Sequence, residues 1–223
     1  MKYTLSGKKI QFETAFSDVK QLADWFLQNR KIKGFCFVGR SNVGKSMLIN
    51  ALFNNKITRT SNAPGRTRNI NLFLMKENPD SWNKFPVYFF DLPGHGYAKV
   101  SKALLKKWNE IIDQFFNLIP HTLAVVNIQD ARHLNQKSDQ MFFQYIQDRK
   151  NKTFLVCNKI DKLKNQKQKH LFQNEKKKFL SANKIEHVYC ISAKNKQGIK
   201  DLEISLIDFL LNAIATNSNL GKD

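Results

Sequence analysis

Short unbroken apolar runs alternate along this chain with longer stretches that mix apolar and charged residues. Six runs read as strands: Phe35–Gly39, Ile70–Lys76, Val87–Leu92, Leu123–Gln129, Thr153–Asn158 and His187–Ser192. Helical spacing marks Lys45–Phe53, Lys102–Leu118, Gln136–Arg149, Gln166–Asn183 and Ile199–Ala215, with a further helix at about Asp18–Asn29 ahead of the first strand. Strand–helix alternation predicts an α/β fold of three layers, a mostly parallel six-stranded sheet with helices on both faces. In such a sheet the ligand crevice lies outside the carboxyl ends of the strands, so the loops there carry the chemistry. Asn78–Phe85 reads as a long hairpin connection, and no internal repeat interrupts the pattern. The expected organisation is an N-terminal extension over 1–31 with its short helix packed on the main domain, a ligand-binding domain over 32–215, and a polar tail over 216–223.

At 223 residues the chain is long enough for one domain with its own core. No apolar run approaches the roughly 20 residues of a membrane span, and the N-terminus lacks the apolar stretch of a secretory signal. Cys36, Cys157 and Cys190 are far apart, each inside an apolar strand-like run, and no CxxC spacing occurs. They read as buried thiols of a cytoplasmic protein. The formal net charge is +19, with 30 Lys against 7 Arg. Between Lys162 and Lys184 eight Lys face one acid, Glu175. Such a surface attracts polyanions, nucleic acid among them, and a merely solvated lysine face is the competing explanation.

The most specific motif follows the first apolar run: Gly39-Arg40-Ser41-Asn42-Val43-Gly44-Lys45-Ser46. GxxxxGKS between a strand and a helix is the form of a phosphate-cradling loop. Glycines let backbone N–H groups turn toward phosphate oxygens, and the following helix presents its positive end. Lys45 brings a point charge to the phosphates, and the Ser46 hydroxyl is a hard ligand suited to Mg²⁺. The loop alone does not choose between adenine and guanine.

Four further signals stand at the right element ends. Asp91-Leu92-Pro93-Gly94 closes a strand, where Asp91 can hold Mg²⁺ through water and the Gly94 N–H can approach a γ-phosphate. Asn158-Lys159-Ile160-Asp161 closes another. The Asp161 carboxylate can accept from the ring N–H and exocyclic amine of guanine, whereas adenine presents an acceptor there. Lys159 can lay its stem on the base, and Asn158 can bridge base and phosphate loop. Ser192-Ala193-Lys194, 31 residues after Asp161, offers backbone N–H groups to the guanine carbonyl. Pro64-Gly65-Arg66-Thr67-Arg68, running on to Asn69, supplies the Thr67 hydroxyl, which can complete a Mg²⁺ shell only beside a γ-phosphate. Together the five elements imply a guanine-nucleotide-binding GTPase with Ser46, Thr67 and Asp91 around the metal. A P-loop ATPase or small-molecule kinase is the rival that ATP binding would reveal.

Nearly the whole chain resembles the EngB (YihA/YsxC) family of bacterial GTPases, in the Era-like branch. The resemblance rests on GRSNVGKS, PGRTR followed by INLF, DLPGHGYAKV, the tryptophan of KKWNE (Trp108) and DARH after the fourth run. It implies a Ras-like sheet of six strands, Mg²⁺-dependent GTP hydrolysis, and a role in assembling the large ribosomal subunit on which growth and septation depend. The precursor particle and its rRNA are then the partners, and the protein a monomer. Signalling GTPases place a water-orienting glutamine just after the DxxG turn; here His95 stands there. Lys45, Thr67, Gly94 and Asn42 are the residues expected to carry slow turnover. Asn42 is where related GTPases hold a K⁺ ion, and Arg66 and Arg68 are rival cations. A nucleotide-gated RNA-binding module with incidental hydrolysis is the alternative.

Overall fold

The computed structural model describes residues 3–58, 69–78, 85–94, 102–183, 185 and 187–218. The order of elements is β1 (Ile10–Phe16), α1 (Val19–Gln28), β2 (Gly34–Gly39), α2 (Lys45–Phe53), β3 (Ile70–Met75), β4 (Val87–Asp91), α3 (Lys102–Leu118), β5 (Leu123–Asp130), α4 (Lys137–Gln147), β6 (Thr153–Asn158), α5 (Gln166–Asn183), β7 (Val188–Cys190) and α6 (Ile199–Ser218). The strands form one sheet in the order β1-β3-β4-β2-β5-β6-β7. From β4 to β7 neighbours run parallel, while β1, β3 and β4 pair antiparallel.

The sheet therefore has seven strands, not six. The extra strand, β1, lies in what the sequence presents as an extension. Its residues IQFETAF mix apolar and polar positions, and Phe12 at 58% exposed marks an edge with one open face. A half-exposed edge strand lacks the continuous apolar run that announces a buried one. Further along the N-terminus, the buried Glu203 carboxylate on α6 accepts from the Thr4 hydroxyl and the Leu5 N–H, both at 2.5 Å. Helix α6 itself runs on to Ser218 rather than ending at Ala215.

Two apolar layers sandwich the sheet. On one face Leu22 and Phe26 of α1, Phe115 and Phe116 of α3, Phe143 of α4, and Phe172 and Phe179 of α5 pack onto Cys36, Phe90, Val125 and Leu155. On the other, Leu48, Leu52 and Phe53 of α2 and Leu202, Leu206 and Leu210 of α6 pack onto Phe35, Phe37, Phe89, Val126 and Phe154. β2 sits at the centre with every residue buried, which explains its uninterrupted GFCFVG. Because β4, β2, β5, β6 and β7 run parallel, their carboxyl ends deliver five loops to one rim of the sheet.

Candidate nucleotide-binding site

At that rim β2 ends on Gly39 and the chain turns into α2 at Lys45. Two residues of the turn adopt left-handed backbone, Asn42 at φ 63° and Gly44 at φ 94°. Asn tolerates this region better than most residues, and Gly enters it without strain. A Cβ on Gly44 would also lie 2.4 Å from Asn158 Nδ2, so this glycine is required twice over. No side chain caps α2 at Gly44. Its first-turn N–H groups, with Ser46 among them, are what a bound anion would meet. Lys45, 8% exposed, forms an ion pair with Asp91, 3% exposed, at the end of β4. The pair brings the phosphate-type cation and a hard oxygen donor to one point. Leu92 N–H donates to Phe37 C=O at 3.1 Å, and Leu92 and Pro93 are buried. Gly94 comes so near the loop that a Cβ there would stand 3.0 Å from Ser41 N.

Asn158 ties three of the motifs together. Its Nδ2 donates to Val43 C=O at 2.9 Å, while its Oδ1 accepts from Lys159 N at 2.8 Å and Ala193 N at 3.0 Å. The side chain is 1% exposed, so each bond is made away from water. Lys159, at φ 69°, sends its ammonium to Asn42 C=O. Ser192 Oγ donates to Asp161 Oδ1 at 2.7 Å and accepts from Asn195 N at 3.2 Å. Ile160 N–H reaches Ile191 C=O at 3.1 Å. The GxxxxGKS, NKxD and SAK segments thus form one hydrogen-bonded surface, with Lys194 exposed at its end.

Two ion-pair systems buttress this surface, and sequence reasoning assigned neither. Asp130, the first residue of DARH, lies 3.0 Å from Lys159 Nζ and takes a forked pair of bonds from Arg132 at 2.9 and 2.6 Å. Burial alone would raise its pKa; hydrogen bonds from Arg132 and Lys159 outweigh that and hold it at about 2. Arg40 Nε meets both oxygens of Asp139 at 3.0 and 2.9 Å, and its Nη2 donates to His133 C=O at 2.7 Å. Asp139 closes the first turn of α4 by accepting from Gln136 N at 3.1 Å. Its burial lifts the carboxyl to about 6 against the pull of Arg40. The only sequence signal for these pairs was the opposite charge of residues at strand and helix ends, which long separation along the chain conceals.

Gly65, Arg66, Thr67, Arg68 and His95 lie outside the described residues, as does the side chain of Trp108; Asn69 stands immediately before β3. The Cys190 thiol, expected in the core, is partly exposed on edge strand β7, while Cys36 and Cys157 are buried. Among the described residues no helix is long and apolar enough to cross a membrane.

Residues 35–159 match the model of the 50S ribosome-binding GTPase family. A probable GTP-binding protein EngB from Malacoplasma penetrans is 40% identical over 182 residues, covering 81% of this chain and 89% of that protein. The chain belongs to the EngB family. It is accordingly a GTP-binding P-loop GTPase. Among solved structures, a probable GTP-binding protein EngB aligns with TM-score 0.59 at 24% identity, over 79% of this chain and 98% of the other, a likeness of fold alone. Era in complex with MgGDPNP and nucleotides 1506–1542 of 16S ribosomal RNA aligns with TM-score 0.64 at 26% identity, over 80% of this chain and 57% of that longer one. The architecture is that of Ras-like GTPases, an α/β sheet with helices on both sides.

Proposed function

We propose that this chain is a slow GTP-driven switch that acts in assembly of the large ribosomal subunit, with normal septation depending on that work. The observation that carries the reading is the Asn158 junction, which ties the phosphate loop to the two segments that read a guanine base. Gly39 to Ser46 cradle the phosphates, with Lys45 neutralising their charge. Asp161 accepts from the two N–H groups of guanine, its carboxylate aligned by Ser192 Oγ. Lys159, held by Asp130, lays its stem beside the base, and the Lys194 N–H faces the carbonyl, while the Ala193 N–H is held by Asn158.

The donor set fits Mg²⁺: a hydroxyl at the first turn of α2 and a buried carboxylate that the Lys45 contact shows to be within reach of the phosphate loop. Ser46 and Asp91 would hold it, joined by Thr67, and the ion would neutralise charge between phosphoryl oxygens. Gly94 would report the γ-phosphate by its backbone N–H, and ordering of the loops around Thr67 and Gly94 would create the particle-binding surface. With His95 in place of a glutamine, Asn42 is the residue to hold K⁺ as a substitute for an arginine finger. Turnover at matched ionic strength should be faster in K⁺ than in Na⁺, and equal rates would remove the idea.

The partner reading is supported by the family description, by the RNA in the Era complex and by charge. Lys162, Lys164, Lys167, Lys169, Lys177 and Lys178 are all exposed on or before α5, on a chain of net charge +19. Such a face gives binding to rRNA that weakens steeply with salt. In this reading the chain acts as a cytoplasmic monomer. The test is co-sedimentation with precursor particles in GTP, GDP and a non-hydrolysable analogue. Binding restricted to the triphosphate forms supports the switch; equal binding in all three contradicts it.

A further inference from the structure

Cys157 and Cys190 are remote in sequence but directly opposed in register on parallel strands β6 and β7. Neighbouring strands lie about 4.8 Å apart, inside the roughly 4.4–6.8 Å Cα separation that a disulfide spans. Paired residues of parallel strands project from the same face of the sheet, so the two sulfurs share one side. Lys176 on α5 places Nζ 3.9 Å from Cys190 Sγ. Cys157 is buried and Cys190 partly exposed, which gives the pair one residue nearer solvent and one behind it.

The chemistry of the two thiols is unequal. A hydrogen bond from the Cys157 thiol, joined by the Lys176 charge, outweighs burial and brings Cys190 down to about 6. The same bond, with burial, pushes Cys157 up. A thiol of lowered pKa on a partly exposed residue, next to a second thiol, is the arrangement of a redox-sensitive cysteine. Cys36 is fully buried, with no cation beside its thiol among the described residues, and burial drives its pKa far upward.

We propose that Cys190 is a peroxide-reactive thiol and Cys157 its resolving partner, the disulfide between them weakening guanine-nucleotide binding. The Cys190 thiolate attacks one oxygen of hydrogen peroxide; the O–O bond breaks, the sulfur becomes a sulfenic acid, and the other oxygen leaves as hydroxide, taking a proton to give water. Cys157 then loses its proton and attacks the Cys190 sulfur. The S–S bond forms, the S–O bond breaks, and a second water leaves. Two thiols are oxidised and one peroxide is reduced. Cys157 directly precedes Asn158, and Cys190 stands two residues before Ser192. In this proposal, closing the pair to a covalent S–S bond tightens the ends of β6 and β7 and disturbs the Ser192–Asp161 bond of 2.7 Å. This last step rests on the guanine reading of the site; the disulfide does not.

The full chain is treated with hydrogen peroxide, its free thiols are blocked, and the cysteines are mapped by mass spectrometry beside titration with fluorescent GDP. A Cys157–Cys190 linked peptide is expected, with Cys36 still a thiol. Cys157→Ala should trap Cys190 as a sulfenic acid that dimedone captures, Lys176→Met should slow the reaction, and Cys190→Ser should abolish it. Oxidation should raise the GDP Kd about tenfold, the loss of roughly one buried hydrogen bond to a charged group, and dithiothreitol should restore it. Unmodified Cys190, or overoxidised Cys190 without a bridge, overturns the thiol assignment. A bridged protein with unchanged Kd overturns the coupling. Failure of the reduced protein to bind GDP would instead count against the guanine reading, since the linked peptide is detected without nucleotide.

Discussion

Replacing Asn158 with Ala removes a buried side chain that joins three loops. It deletes the bond to Val43 C=O at 2.9 Å and those from Lys159 N and Ala193 N at 2.8 and 3.0 Å. A net contribution of about 1 kcal/mol for each buried bond gives a loss of about 3 kcal/mol in stability. The same three anchors hold the phosphate loop against the NKxD and SAK segments, so on the proposed reading GDP affinity should fall by about 100-fold or more, equivalent to roughly 2.7 kcal/mol. Urea unfolding with unchanged slope gives the first number, and fluorescent-GDP titration the second. Asn158→Asp sharpens the test. It keeps both accepting contacts but turns an oxygen toward Val43 C=O. That opposition raises the new carboxyl's pKa in the folded chain, so the variant should regain stability as pH falls and the carboxyl becomes a donor. An Ala variant within about 0.5 kcal/mol of the parent, binding GDP equally well, would refute the idea that Asn158 couples the motifs.

Gly44→Ala should nearly abolish nucleotide binding, because alanine would be forced to φ 94° with its methyl 2.4 Å from Asn158 Nδ2; calorimetric titration with GDP checks it. Asp130→Asn should cost about 2 kcal/mol at neutral pH, from a carboxyl lowered from 3.8 to about 2. Because the folded pKa is the lower one, the parent's advantage is present above about pH 4 and disappears as pH falls toward 2, which paired urea titrations across pH will show. Among the described residues, Asn127, 1% exposed in β5, finds no hydrogen-bond partner for either side-chain polar atom. Asn127→Val should therefore raise stability by about 1 kcal/mol, read as a higher melting temperature.

The parallel core was legible because its strands are buried on both faces and so are spelled as continuous apolar runs. GFCFVG and TFLVCN needed no partner to be recognised. β1 was missed because an edge strand with an exposed Phe12 carries no such run. At the site, motif spacing pointed to Lys45, Asp91, Asn158, Asp161 and Ser192, which stand at or next to element ends. The Asp130–Lys159 and Arg40–Asp139 pairs were not legible. Each joins residues on different elements, and only the sheet order brings them together. The Cys157–Cys190 register was hidden for the same reason.

The central claim is that Asp161 selects guanine at the surface built by Asn158 and Ser192. Competitive titration of the parent chain and Asp161→Asn with GTP, ATP and xanthosine triphosphate tests it most directly, since xanthine offers an acceptor where guanine offers its amine. The parent should bind GTP and reject the other two, and Asp161→Asn should lose GTP while gaining the xanthine nucleotide. Equal preference in parent and variant, or tight ATP binding by the parent, would contradict the account.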